Sequence, residues 1–133
     1  MAAAGCLAML HHLSLGTANL DRARAFYDPV MAELGLRRTL DVEDAVGYGA
    51  GITSFSLNLP ADGRPASAGN GVHVAFEVEH RAAVDAFYRV ALAQGGTDEG
   101  PPGLRPDYDP NYYAAFIRDP DGNKIEAVTF AGA

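Results

Sequence analysis

The sequence predicts an α+β fold of two tandem modules, each a strand, a helix and then two or three strands, and three observations carry that prediction. Sliding the chain along itself by 61 positions superimposes His12 on His73, Ala25-Phe26-Tyr27 on Ala86-Phe87-Tyr88, Ala32 on Ala93 and Gly35 on Gly96. Self-similarity at a fixed spacing marks an internal duplication of one supersecondary unit. Within each copy an alternating apolar pattern gives way to helical spacing and then to further short alternating runs. A stretch rich in Pro, Gly, Ser and Ala, Pro60 through Gly71, separates the copies as a linker. One domain over residues 1–133 therefore divides into module one at about 8–60, a linker at about 61–70 and module two at about 71–131.

In the first module Leu13 and Leu15 alternate with His12, Ser14 and Gly16, so the polar and small residues share one face of a strand. Ala23, Phe26, Tyr27, Val30, Met31 and Leu34 then recur at helical spacing. Asn19 suits the cap, Asp21 the first turn and Gly35 the stop, while Pro29 is expected to kink the helix. Shorter strands follow near 38–42, 45–50 and 53–59. Gly47-Tyr48-Gly49-Ala50-Gly51 superficially suggests a phosphate loop, but no helix pattern follows it, so it reads as strand and turn.

The second module repeats the scheme. Val72, Val74, Phe76 and Val78 point one way and His73, Ala75 and Glu77 the other. Val84, Phe87, Tyr88, Ala91 and Leu92 form the helical stripe, closed by Gly95-Gly96. Residues 98–111, with Pro101, Pro102, Gly103, Pro106 and Pro110, read as a long irregular loop of the kind that serves function. The last strands fall near 112–118 and 123–130, joined by the turn Asp119-Pro120-Asp121-Gly122.

Composition narrows the function classes. A net charge of -7 with ten scattered Lys and Arg repels phosphate backbones, which argues against nucleic acid as a partner. The longest apolar run, Ala2 to Leu10, is too short to span a bilayer and has no basic leader, and the single Cys6 cannot form an internal disulfide. The expectation is a cytoplasmic protein with no membrane partner.

The chemistry begins with His12 and His73, which share the inner face of equivalent strands, and with Glu126, a carboxylate in the apolar last strand. A carboxylate left unpaired there would be costly. If Ile125 and Ala127 face the helix, alternation turns Glu126 to the same cavity as the histidines. Two imidazoles and one carboxylate leave the other positions of an ion open, the arrangement of a catalytic divalent-metal site. Plainer readings stand beside this one. A lone strand histidine is usually a satisfied core or surface residue, and Glu126 can pair with Arg118 or Lys124. His11 belongs on the opposite face if the strand is regular, and His80, matching Asn19, is a surface or capping residue. Tyr113, with Asp107 or Tyr108 beside the long loop, can orient a substrate or supply a proton, although strand tyrosines are more often core or rim. The chain has no paired-cysteine zinc motif, His-Glu-x-x-His helix or nucleophile elbow.

The stretches His12-Leu-Ser-Leu-Gly, Leu20-Asp-Arg-Ala-Arg-Ala-Phe-Tyr27, His73-Val-Ala-Phe and Tyr112-Tyr-Ala-Ala-Phe-Ile-Arg-Asp-Pro-Asp-Gly-Asn-Lys-Ile-Glu126 together resemble the vicinal oxygen chelate superfamily. That group includes glyoxalase I, type I extradiol dioxygenases, fosfomycin-modifying thiol transferases and bleomycin-binding resistance proteins, and the resemblance covers nearly the whole chain. It implies two tandem βαβββ modules with mixed sheets whose concave faces form a cup-like, partly closed barrel. It also implies one divalent ion, Fe(II), Mn(II), Ni(II) or Zn(II), on His12, His73 and Glu126, with Glu126 and Tyr113 as the catalytic candidates. A small-molecule substrate would offer the ion two neighbouring oxygens, and the ion would stabilise charge developing on them as a Lewis acid. Relatives of this length commonly complete the cup as homodimers, so that His12 of one chain meets His73 and Glu126 of the other.

One departure bears on the reaction. Glyoxalase I takes a fourth ligand, a glutamate, from the last strand of its first module, where this chain offers Ser54, Ser56 and Asn58. The His, His, Glu set resembles instead the extradiol dioxygenases and the fosfomycin enzymes, although the extra acid/base histidine of the former has no convincing inward counterpart here. Two competing readings remain: a small-molecule or antibiotic-binding protein without chemistry, against which the three retained ligand types argue, and a vestigial site in which His12 and Glu126 satisfy each other.

Overall fold

The computed structural model describes residues 7–133; Cys6 and the start of the Ala2–Leu10 run lie outside them. Two equivalent modules follow one another: β1 (Leu13–Gly16), α1 (Leu20–Glu33), β2 (Arg37–Val42), β3 (Ala45–Gly49) and β4 (Phe55–Asn58), then β5 (His73–Glu77), α2 (Arg81–Ala93), β6 (Thr97–Leu104), β7 (Tyr113–Arg118) and β8 (Lys124–Thr129). Each makes a four-stranded mixed sheet, ordered β1-β4-β3-β2 and β5-β8-β7-β6, with a parallel pair at one edge and antiparallel pairs beyond it. The α+β reading with tandem βαβββ modules holds. Within the chain the two sheets remain separate and do not close into a barrel.

Local chemistry explains the boundaries. The Asn19 side chain caps α1 by accepting from the Arg22 N–H at 2.9 Å, and Gly35 and Gly95 leave the helices with φ of 77° and 100°. Pro29 is accommodated inside α1 without ending it. His80 takes the N-cap position of α2 but makes no capping hydrogen bond with its side chain. Gly49 closes β3 where a Cβ would stand 1.8 Å from the Ile52 carbonyl oxygen, so the return into β4 tolerates no side chain.

The expected loop over 98–111 is half strand. β6 runs along the outer edge of its sheet, paired only with β7, and its register slips between Asp98 and Gly100 and again between Gly100 and Gly103. Pro101 and Pro102 fall inside that second irregularity, on an edge where a missing N–H costs no ladder bond.

One core serves both modules. Phe26, Tyr27, Val30 and Met31 of α1 pack with Val84 and Phe87 of α2, with Phe55 and Leu57 of β4, and with Ile117 and Ile125 of the second sheet. Phe55 and Phe76 meet edge to face at 5.2 Å across the two sheets. The helix-bearing faces of both sheets are thus spent on this core, and the opposite faces are left open.

A polar clamp fixes the modules to one another. In the β7–β8 turn Asp119 accepts from the Tyr27 hydroxyl at 2.6 Å and from the Asn123 side chain at 3.0 Å. Asp121 accepts from the Thr17 hydroxyl at 2.6 Å and the Ala18 N–H at 2.9 Å, and the Asn123 amide donates to the Gly16 carbonyl at 2.9 Å. The turn signalled by Asp-Pro-Asp-Gly is therefore also the joint between modules.

Candidate metal centre

The parallel pairing of β5 with β8 sets Ala75 opposite Glu126 and His73 opposite Lys124, so His73 and Glu126 sit two positions apart on the same open face. Their side chains meet, with His73 Nε2 3.1 Å from Glu126 Oε1. Glu126 is 1% exposed whereas the imidazole is 45% exposed, so a buried carboxylate is presented to solvent through a histidine. The other oxygen, Oε2, accepts from the Tyr112 hydroxyl at 2.5 Å. Both oxygens of a buried charge are thereby satisfied, as burial demands.

Tyr112 is held edge-on between Tyr108, 5.1 Å away, and Phe130, 5.3 Å away. Burial first, and then the bond to Glu126, push its phenol pKa up, so it remains a protonated donor. His73, Glu126, Tyr112, Tyr108, Phe116 and Lys124 line a concavity of about 350 Å³. A larger hollow of about 520 Å³ beside the linker gathers a single carboxylate, Asp44, and no histidine, so the smaller one carries the chemistry.

Tyr113, the sequence candidate, is on the other side of the sheet. Its hydroxyl donates to Asp85 of α2 at 2.6 Å, and the Arg81 guanidinium lies 4.7 Å from its ring centre. Alternation explains the exchange: Phe116 is opposite Glu126 and shares its face, so even-numbered residues of this stretch lie on that face, and Tyr112 among them reaches the carboxylate. Tyr108 lines the concavity, whereas Asp107 is exposed outside it. Neither alternative partner takes Glu126, since Arg118 pairs with Glu99 at 2.5 Å and Lys124 stands over the Phe116 ring.

His12 is exposed just ahead of the β1 ladder of the other sheet. The regular pairing starts only at Leu13, so His11 is not turned to the opposite side from His12; the two imidazoles meet edge to face, Nδ1 to Nδ1 at 2.9 Å. His73, not His12, satisfies Glu126. Among the described residues no group of three or more His, Cys, Asp or Glu stands close enough to hold an ion within one chain.

The same register locates the missing fourth acid. Leu13 pairs with Phe55 and Ser14 with Ser56, just as Val74 pairs with Ile125 and Ala75 with Glu126. Ser56 therefore stands in module one where Glu126 stands in module two. Its hydroxyl donates to Asn58 Oδ1 at 2.7 Å and lies 3.0 Å from the Ser14 hydroxyl, a neutral row.

The model of the Glyoxalase/Bleomycin resistance protein/Dioxygenase superfamily matches residues 9–127. The chain belongs to that superfamily. Metallothiol transferase FosB of Shouchella clausii (strain KSM-K16) is 31% identical over 121 residues, which cover 90% of this chain and 79% of that protein. A glyoxalase/bleomycin resistance protein from Albidiferax ferrireducens T118 superposes with a TM-score of 0.83 at 34% identity, over 92% of this chain and 98% of that one. Lactoylglutathione lyase from Agrobacterium tumefaciens superposes with a TM-score of 0.66 at 25% identity, over 93% and 95%. The described residues contain no helix long and apolar enough to cross a membrane.

The superfamily includes metal-dependent enzymes, and the donor set here fits a divalent ion in part. Two ligands each about 2.0–2.2 Å from one ion stand about 3–3.5 Å apart when adjacent, from octahedral to tetrahedral angles, and His73 Nε2 and Glu126 Oε1 are 3.1 Å apart. Both residues line the concavity, and Tyr112, which lines it too, occupies the other carboxylate oxygen.

Proposed function

We propose that this protein is a divalent-metal-dependent enzyme of the superfamily, acting on a small molecule that presents two neighbouring oxygens, with its site completed in a homodimer. The observation that carries this reading is Glu126, a fully buried carboxylate whose one oxygen is offered to the His73 imidazole while the other is fixed by Tyr112. His73 and Glu126 would hold the ion from one chain, and His12, exposed at the start of the other module's first strand, would supply the third ligand from a second copy. When bound, the ion supplies Lewis-acid stabilisation of negative charge developing on substrate oxygens. Ligand type does not select among Fe(II), Mn(II), Ni(II) and Zn(II).

The rest of the site limits the reaction. Ser56 and its hydroxyl row stand where a second carboxylate would move a proton beside a carbonyl. Addition of an external nucleophile fits better than isomerisation, and the 31% identical relative is named a metallothiol transferase. Tyr112 keeps Glu126 turned and Phe116 keeps the floor apolar.

The test is metal stoichiometry by elemental analysis after purification without an affinity-tag metal, on the wild type and on His73→Ala. The expected result is one ion per chain, lost in the variant together with turnover of thiol and electrophile pairs. Failure to take up Fe(II), Mn(II), Ni(II) or Zn(II) on reconstitution would leave a non-catalytic small-molecule binder, as would ligand affinity that survives His73→Ala unchanged.

A further inference from the structure

The hollow beside the linker, about 520 Å³, falls within the roughly 300–1,000 Å³ of ordinary small-molecule sites and shares no lining residue with the metal centre. It opens at the end of the first sheet remote from His12. Thr17 follows the last residue of β1, and Leu59 follows the last residue of β4, which runs parallel to β1. Leu59, Pro60, Pro65 and Ala66 give the hollow a largely apolar wall. Two exposed charges flank that wall, Arg64 of the linker and Asp44 of the β2–β3 turn. Among the described residues neither side chain makes an ion pair or a hydrogen bond, with the other or with anything else. The charges nearby are engaged: Asp121 accepts from the Thr17 hydroxyl and pairs with Arg22, and Asp62 accepts the Arg64 backbone N–H at 2.9 Å.

We propose that this hollow is a second small-molecule site, which takes a zwitterion carrying an ammonium and a carboxylate on an apolar body, as in a free amino acid or a short peptide. Arg64 offers a planar set of donors to the carboxylate, Asp44 accepts from the ammonium, and the apolar wall receives the body between them. The walls are built before any ligand arrives. The Gly63 N–H donates to the Pro60 carbonyl at 3.1 Å in a turn where Gly63 has φ of 73°, and Pro60 and Pro65 stiffen the chain on either side. A Cβ added to Gly16 would stand 3.2 Å from the Ala66 Cβ, so the linker is seated directly on β1. The Leu59 N–H donates to the Asp44 carbonyl at 2.9 Å, which ties the turn bearing the anion to the segment bearing the cation. A site held in this way loses little freedom on binding, which favours a small ligand. It is independent of the proposed metal centre.

The experiment is titration of the full chain, followed through its backbone amide NMR signals, with L-leucine, L-leucyl-L-leucine and two probes that each lack one charge, 4-methylpentanoate and 3-methylbutylamine. The zwitterions are expected to shift the signals of Ala18, Leu59 and Gly63 at millimolar concentration and to leave those of His73 and Glu126 in place, with or without added metal. Each singly charged probe should bind about fivefold or more weakly than the better zwitterion. Arg64→Gln should weaken the zwitterions and 4-methylpentanoate but not the amine, and Asp44→Asn should weaken the zwitterions and the amine but not 4-methylpentanoate. Both side chains are exposed, so both variants keep the fold. Tighter binding of L-leucine assigns the free amino acid, and tighter binding of the dipeptide assigns a peptide with its charges further apart. No shift around the hollow, singly charged probes that bind as tightly as the zwitterions, or variants that bind like the wild type would each overturn the site, whatever the outcome at the metal centre.

Discussion

Tyr27 of α1 donates its phenolic hydrogen bond to Asp119 of the β7–β8 turn at 2.6 Å, joining residues 92 positions apart in the chain. Asp119 also receives the backbone N–H groups of Asp121 and Asn123, both at 2.9 Å, so one carboxylate shapes its own turn and ties it to the first module. Tyr27→Phe removes one donor and leaves the others, and should cost about 1–2 kcal/mol; Asp119→Ala strips acceptors from several buried donors and should cost more. Urea denaturation of the two variants checks the order.

The same pair sets an alkaline limit. Burial first, and then the Asp119 charge and hydrogen bond, raise the Tyr27 pKa well above its ordinary 10.0. Burial, followed by the bond to Asp28, raises that of Tyr48 as well. A phenol that keeps its proton in the folded state but loses it on unfolding stabilises the fold fully below about pH 10 and less as pH rises toward the folded value. The urea midpoint should therefore hold from pH 7 to 9 and fall above pH 10, and Tyr27→Phe should flatten that fall.

Much of this arrangement is legible in the sequence, because alternation and duplication are local signals. The repeat around His12 and His73 yields the module order, and Glu126 between Ile125 and Ala127 announces a buried carboxylate that needs partners. Strand phase is what sequence handles poorly. Two adjacent tyrosines lie on opposite faces, and only the pairing of Phe116 with Glu126 shows that Tyr112 is the partner and Tyr113 belongs to α2. β6 was hidden by its prolines, which an edge strand with a bulge tolerates. The clamp role of the β7–β8 turn depends on contacts between modules that no local pattern encodes.

The two tyrosines give a paired test. Tyr112→Phe removes the hydrogen bond that orients Glu126, and loss of such an outer partner typically weakens metal binding about 10-fold or more. Tyr113→Phe removes only the bond to Asp85 across the sheet. Competition against a chelator should show weaker metal binding in Tyr112→Phe and wild-type binding in Tyr113→Phe. Equal affinities in all three proteins would show that Tyr112 does not position the ligand.

The proposed completion of the site by a second chain makes a prediction that a single-chain site cannot imitate. His12 is exposed, so His12→Ala should leave the fold intact, and Glu126→Gln keeps the shape of the buried side chain while removing its charge. Each variant alone lacks a ligand at every site and should bind no metal tightly. In a heterodimer of the two, His12 of the Gln variant faces His73 and Glu126 of the Ala variant, so one site of the pair is whole and the other lacks both groups. Heterodimers isolated through two different tags should then carry about half the wild-type metal, as two-fold symmetry requires. Were His12 to complete a site within its own chain, the mixture would hold no more metal than either variant, and the dimeric site would be wrong.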